Sequence, residues 1–420
     1  MSGRLSQLAE GLVGSEILRI AAEVRELSAQ GRPICNLTVG DFSPSEFRIP
    51  ERLAHGIADY VMKGQTNYPP SNGVLELRKA VAALYKRGLG LDYPVESVVI
   101  TSGGRPVIHS LFQVLVNAGD RVVYAVPSWN NDHYAGLVRA DAVAIVCRAD
   151  TNFLPTADML KPVIRGARLL SLNSPSNPTG TLFTEQQLAD ICDLVLDENA
   201  RRGPDERPLF VMYDQIYWML TFGGAHHVNP VSLRPEMAKY TVFVDGLSKS
   251  FAATGLRVGW GVGPVDIIKS MGDLLTHIGA WAPRPEQMAG AELLCAEDDV
   301  RAYRAGMIRD IQERLTLLAE GIEQLRREGF PVESTTPQGA IYLSARFGLH
   351  GKRTPNGATL TSNESVRHYL LQSAGMAVVP FQAFGQREDT GWFRLSAGAV
   401  SPRDVRELIP RLRSSLQALS

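Results

Sequence analysis

The chain reads as an α/β protein built on a mostly parallel sheet, and three observations carry that reading. Short runs rich in Val, Ile, Leu and Tyr alternate with longer amphipathic stretches between about 98 and 262. The runs are too short for helices and are bounded by Gly, Pro, Asn and Ser, as buried strands are. Polar and reactive residues fall directly after these runs, and open α/β sheets bind ligands beyond the carboxyl ends of their strands.

Strands are read at 98–101, 121–126, 169–172, 209–213, 241–244 and 257–262. Helices are read at 107–116 and 184–199. The second opens on Thr184 with Gln187 three residues on, the pattern of a capping box. Upstream, 15–30 has a helical pattern and 37–40 a short strand. Downstream, 298–328 reads as one long helical region, 340–345 and 377–379 as strands, and 402–419 as a closing helix. Residues 348–363, rich in Gly, Thr and Asn, read as a loop. The expected organisation is a large α/β domain at 49–297 and a small α+β domain made of both chain ends, 1–48 with 298–420.

At 420 residues the chain is comfortable for two domains. It is 45% hydrophobic and 21% charged, a globular balance. With 43 Lys+Arg against 44 Asp+Glu, it carries no electrostatic footprint for nucleic acid or an anionic membrane. No apolar run approaches the roughly 20 residues of a membrane span. The N-terminal residues lack an apolar signal core, so a cytoplasmic location is expected. Cys35, Cys147, Cys192 and Cys295 are scattered without a CxxC pair, which suits buried reduced thiols and no metal site.

The chemistry centres on Lys249, in Gly246-Leu247-Ser248-Lys249-Ser250 at the mouth of the strand 241–244. A lysine among small residues at a strand end suits Schiff-base formation with a carbonyl, and pyridoxal phosphate is the natural partner. That cofactor also needs a phosphate anchor and an acid for its ring nitrogen. Gly103 and Gly104 precede a helix, where backbone N–H groups and the helix dipole favour a phosphate. Trp129 follows the strand 121–126 and offers a stacking face, or a core side chain. Asn177, in Asn173-Ser174-Pro175-Ser176-Asn177-Pro178-Thr179-Gly180, can donate to a ring oxygen from a turn stiffened by proline. Asp214 ends a strongly apolar strand; it reads as a helix N-cap or as the partner of a protonated ring nitrogen. Tyr217 is placed to reach the ring oxygen. Arg257, eight residues past Lys249, suits a phosphate dianion.

Together, Asn-Pro-Thr-Gly at Asn177, Asp214 with Tyr217, Ser248-Lys249, and Gly255-x-Arg257-x-Gly259 make the chain resemble the class I/II aminotransferases of fold type I, the bacterial aspartate and aromatic aminotransferases among them. The resemblance implies a seven-stranded, mostly parallel sheet and a homodimer with shared active sites. It implies that Ser248 joins the cofactor site and that Tyr68, in Asn67-Tyr68-Pro69-Pro70, reaches the partner subunit's cofactor phosphate. It implies that Arg394, in Trp392-Phe393-Arg394-Leu395-Ser396, clamps the substrate α-carboxylate, with Gly40 over the substrate. Two positions depart from the pattern. Gly246 stands where relatives carry a serine, and Phe381 brings bulk where glycine is usual, which is expected to reshape the substrate side.

The implied reaction is amino transfer from an L-amino acid to a 2-oxo acid such as 2-oxoglutarate, by a ping-pong cycle in which Lys249 also moves the α-proton. Aspartate or glutamate is favoured, with aromatic donors as the other class. Arg105, after Gly-Gly, reads equally as a substrate or cofactor contact and as a helix-start surface charge. Arg284 and His277 are further candidate cations, and Glu16 would repel a second carboxylate. A β-lyase, synthase or decarboxylase on the same fold is the alternative, and a non-enzymatic binding module lacks the basic N-terminal extension it usually carries.

Overall fold

A computed structural model describes residues 4–11, 14 and 16–420; the expectations for residues 1–3 and for the helix start at 15 lie outside the described residues. The chain divides into two compact units, 1–40 with 313–337 and 341–420, and 41–312 with 338–340. The sequence pattern puts a boundary at 297/298, where the long helix begins. That helix runs unbroken over Glu297–Arg327, and the division falls inside it.

The first strand, β1 (Cys35–Asn36), belongs to the smaller unit. The larger unit holds β2 (Val98–Thr101), β3 (Arg121–Val126), β4 (Asp141–Val146), β5 (Ala167–Asn173), β6 (Phe210–Asp214), β7 (Thr241–Gly246) and β8 (Gly259–Val262). They form one seven-stranded sheet in the order β2-β8-β7-β6-β5-β3-β4. Pairings β4–β3, β3–β5, β5–β6 and β6–β7 are parallel, whereas β8 runs antiparallel to both β7 and β2. Alternate residues feed the two faces. Val98, Ile100, Val211, Tyr213 and Phe243 pack into one apolar layer, and Val99, Val122, Met212, Val242 and Val244 into the other. β4 was missed by the sequence reading although Ala142–Val146 is a continuous apolar run; it is an edge strand with an exposed and half-buried pattern.

Strand direction positions the chemistry. β2, β3, β5, β6 and β7 all end on one edge of the sheet, and reversed β8 begins there, with Gly259 paired to both Thr101 and Gly246. The segments after five strands and the segment before the sixth therefore converge. The strand expected over 257–262 starts only at Gly259, because Arg257 adopts left-handed backbone (φ 55°).

Helix Glu185–Ala200 is capped by Thr184, whose hydroxyl accepts from Gln187 N–H at 3.1 Å. The expected capping box is only half made: the Gln187 amide donates to the Pro155 carbonyl instead. The smaller unit pairs β1 in parallel with β11 (Met376–Ala377), once β9 (Val332–Ser334) and β10 (Tyr342–Phe347) have been laid down. With β12 (Val379–Pro380) and β13 (Trp392–Ser396), these make a four-stranded antiparallel sheet, β12-β13-β10-β9. The strand expected at 37–40 is a loop after β1. Leu37 still donates to Ala377 and accepts from Ser396, but Thr38–Gly40 leave the ladder. Helices Glu16–Ala29 and Asn363–Ala374 are joined by buried Arg367, which bridges Glu23 and Glu364. Cys35, Cys147 and Cys192 are buried, and burial pushes each thiol up to about 12; Cys295, against expectation, is exposed. No helix among the described residues is long and apolar enough to cross a membrane, and no cluster of metal-ligating side chains occurs among them.

Candidate active site

On the convergent edge of the larger unit, three chain segments meet at glycines. Helix Gly104–Leu115 starts after Gly103, whose φ of +90° suits glycine alone. A Cβ on Gly103 would overlap the Arg257 guanidinium, and one on Gly259 would lie 2.8 Å from the Gly103 Cα. Arg257 is fixed by donating from Nη1 to the Thr254 carbonyl (2.6 Å) and from Nη2 to the Ser102 carbonyl (3.1 Å). Thr101 Oγ1 donates to the Gly103 carbonyl at 2.6 Å, locking the turn. The result is an arginine held against the N-terminus of a twelve-residue helix. The Gly103 N–H donates to the Thr101 carbonyl (2.8 Å), so it is the guanidinium and the helix dipole with its first-turn N–H groups that favour a dianion there.

Beside this cradle lies the Lys249 turn. Buried Gly246 and Leu247 lead into helix Leu247–Ser250, with Ser248 buried and Lys249 half-buried. The Lys249 ammonium sits 5.9 Å from the centroid of the buried Tyr217 ring. Asp214, at the end of β6, keeps a sliver of exposure, yet desolvation pushes its carboxyl up to about 6. The Ile216 N–H, 3.1 Å from Oδ1, and the charge of Lys249 act in the opposite direction. Its other oxygen accepts no hydrogen bond from any described residue. A carboxyl so placed suits a cationic ring N–H as partner, and the N-cap reading for Asp214 loses ground because no helix follows it.

Asn177 belongs to the turn after β5. Its N–H donates to Asn173 Oδ1 (2.7 Å), and the Asn173 amide donates to the Asp214 carbonyl (2.8 Å). Asn173 therefore ties the Asn177 turn to the strand carrying Asp214. The sequence reading gave it no role; a lone amide at the end of an apolar strand is its only signal. Trp129 does not lie bare: the Arg105 guanidinium covers its ring at 4.5 Å, so the exposed Arg105 is held beside the cradle by a cation–π contact.

The other expected residues lie on other elements. Tyr68 is 81% exposed and meets Trp281 edge-on at 5.6 Å, while neighbouring Asn67 accepts from Arg284 at 3.0 Å. His277 is exposed in the last turn of helix Val265–Ile278. Gly40 and Arg394 belong to the smaller unit. There Arg394, 1% exposed on β13, donates to the Thr38 carbonyl (2.6 Å) and lies 4.8 Å from the ring centroids of both Tyr342 and Phe384. A Cβ on Gly40 would come 2.8 Å from Tyr342 Oη and 3.5 Å from Arg394 Nη1, so glycine keeps this corner open. Tyr342 and Phe384 were missed as its neighbours because strand pairing, not sequence proximity, brings Tyr342 to it. Phe381 was expected to reshape the substrate side. It is fully buried and stacks on Trp392 at 6.4 Å, so its bulk goes into the unit's core. Glu16 is neutralised by Arg19, whose Nε donates to Oε2 at 3.0 Å.

The profile of the aminotransferase class I and II family matches residues 32–412. The chain belongs to that family. A probable aspartate/prephenate aminotransferase of Rhizobium leguminosarum bv. phaseoli is 30% identical over 402 residues, 95% of each chain. The aspartate aminotransferase of Rhizobium meliloti (strain 1021) is 29% identical over 411 residues, covering 97% of this chain and 94% of the relative. Among solved structures, the aspartate aminotransferase from Rhizobium meliloti matches with a TM-score of 0.89 at 26% identity over 100% of both chains. That from Thermus thermophilus with maleate matches at 0.86 and 27%, over 99% of this chain and 100% of that one. The protein is a transaminase with the fold of the aspartate aminotransferases, and the lyase, synthase and decarboxylase readings are not favoured. Members of this family use pyridoxal phosphate, and the cradle, the carboxyl of Asp214 and the amine of Lys249 fit its phosphate, ring nitrogen and carbonyl.

Proposed function

We propose that this aminotransferase takes the α-amino group of aspartate or glutamate and delivers it to a 2-oxo acid such as 2-oxoglutarate. The single observation that carries the site assignment is the pairing of a buried, raised Asp214 carboxyl with Lys249 on the same sheet edge. When bound, pyridoxal phosphate supplies an electrophilic carbon and a ring that delocalises the electron pair left by the departing α-proton. Lys249 forms the link to that carbon, and its amine, once displaced by substrate, carries the α-proton. Asp214 holds positive charge on the ring nitrogen. Arg257, Ser248 and the Gly104 N–H hold the phosphate, with Gly103 shaping the turn through its own N–H bond to the Thr101 carbonyl; Asn177 and Tyr217 orient the ring oxygen, and Trp129 lines the ring.

From the smaller unit, Arg394 receives the substrate α-carboxylate, and Gly40 leaves room for it. Its guanidinium is already oriented by Thr38, Tyr342 and Phe384, which lowers the entropy lost on binding. Arg105 is the cation we assign to a second carboxylate, because its contact with Trp129 holds it at the cradle. Relatives named aspartate aminotransferase support the dicarboxylate donor. Aromatic donors are a second reading, favoured by the rings of Tyr342 and Phe384 beside Arg394. The exposed Tyr68 is read as reaching a partner subunit's cofactor in a cytoplasmic homodimer. A panel of amino donors with 2-oxoglutarate tests the proposal: aspartate should lead, and an Arg105→Ala variant should lose that lead while keeping activity on monocarboxylic donors. A flat panel would refute the dicarboxylate assignment.

A further inference from the structure

Behind the site lies a buried polar chain that the reaction as described does not use. Asp245, 1% exposed, precedes the Gly246 turn. Its Oδ1 accepts from Gly246 N–H (2.7 Å), and its Oδ2 accepts from the Trp218 indole (2.9 Å) and Tyr85 Oη (3.3 Å). The Gln215 amide donates to Tyr85 Oη (3.2 Å), and Gln215 Oε1 meets His227 Nε2 (3.1 Å). Gln215 directly follows Asp214, and Asp245 lies four residues before Lys249. The chain thus joins the two strand ends that carry the opposed groups of the site. A buried acid with no cationic partner is costly, and apolar filling of that space would serve stability as well.

We propose that Asp245 is a positioning residue for amino transfer: through Gly246 it fixes the turn bearing Ser248 and Lys249, and through Tyr85 and Gln215 it ties that turn to the strand end bearing Asp214. The proposal rests on the assignment of Lys249 and Asp214 above. Desolvation outweighs the three donors and pushes the Asp245 carboxyl up to about 8, with the nearby charge of Asp214 adding to the rise. The titratable groups around it are Tyr85, whose own hydroxyl is raised by burial, Asp214, and His227, held neutral by desolvation at about 3. A carboxyl raised in the folded state favours folding at low pH, and that contribution drains away as pH rises from the unfolded value of about 4 to about 8.

The test compares cofactor-loaded wild type with Asp245→Ala, Asp245→Asn and Tyr85→Phe. Asp245→Ala removes the anchor on Gly246, so kcat should fall about tenfold or more at near-constant KM, and the pH midpoint of the cofactor's visible absorbance should move. Asp245→Asn keeps one acceptor for Gly246 N–H and should restore most of kcat. Tyr85→Phe removes its bonds to both Asp245 and Gln215 while leaving the Gly246 anchor, and should shift the absorbance midpoint. Equal losses in Asn and Ala variants, or an unmoved midpoint in both Ala and Phe variants, would overturn the proposal. A second measurement serves if the Ala or Phe variant fails to fold. Between pH 6 and 8 the wild-type melting temperature should fall relative to that of Asp245→Asn; a constant difference also overturns it. This thermal arm does not depend on what Lys249 does. Retained colour in a Lys249→Ala variant would instead sink the site assignment.

Discussion

The cradle around Gly103 and the setting of Arg394, the two arginine sites to which we assign anions, are built from different materials. The cradle is backbone: glycines at Gly103 and Gly259 let two segments touch, and its one side chain, Arg257, is pinned by main-chain carbonyls. Arg394 is held mainly by side chains, between the rings of Tyr342 and Phe384, with one carbonyl, Thr38, as its fixed point. A backbone site tolerates no added atoms and suits a ligand that stays. A site framed by rings can repack, and suits ligands that are exchanged at each turnover.

The largest expected effect belongs to the larger unit. Lys249→Ala should abolish transamination and the visible absorbance of the purified protein; an active, yellow variant would remove the larger unit's claim to the chemistry. Next, Arg394→Lys should raise KM for amino acids roughly 10- to 100-fold, the loss of one charge-assisted, bidentate contact. Cofactor affinity should stay unchanged in that variant, and a loss of both would erase the distinction between the sites. Gly103→Ala should do the reverse. Its strained φ costs about 1–3 kcal/mol and its Cβ displaces Arg257, so equilibrium dialysis should show weakened cofactor binding while KM for the donor changes little.

The smallest effect concerns pH. In the cofactor-free protein the raised Asp214 carboxyl favours folding while protonated, and this contribution is lost as pH climbs from about 4 to about 6. Asp214→Asn should therefore become more stable relative to wild type across that window, by about 1–2 kcal/mol after allowance for solvent screening. Denaturant titrations at pH 4 and 7 would show it, and a pH-independent difference would mean that Asp214 is ionised throughout.

The backbone-built half of the site was the more legible. Gly103, Gly104, Asn177, Asp214, Lys249 and Arg257 each follow or precede an apolar run, so strand ends could be read and the convergence inferred. The chain's charge balance and hydropathy gave no expectation of a nucleic-acid or membrane partner. What sequence pattern misjudged were features decided by packing. The Gln187 side chain left its cap for the Pro155 carbonyl. The Phe381 ring is buried in the core against Trp392. Each is a choice among local alternatives of similar energy, settled by neighbours far along the chain.

The amino-acid sequence by itself determined the alternation of strands and helices, the glycines at the cradle and the identity of the acid, the amine and the two arginines, because periodicity and residue chemistry are local. Only the tertiary structure decided that reversed β8 delivers Arg257 to the edge where the other six strands of the sheet end. It alone placed Asn173 between Asn177 and Asp214, and joined Asp245 to Gln215 through Tyr85, a residue 160 positions away from Asp245. Hydrogen bonds across such separations leave no pattern in the chain, since their partners are set by sheet order and burial rather than by spacing.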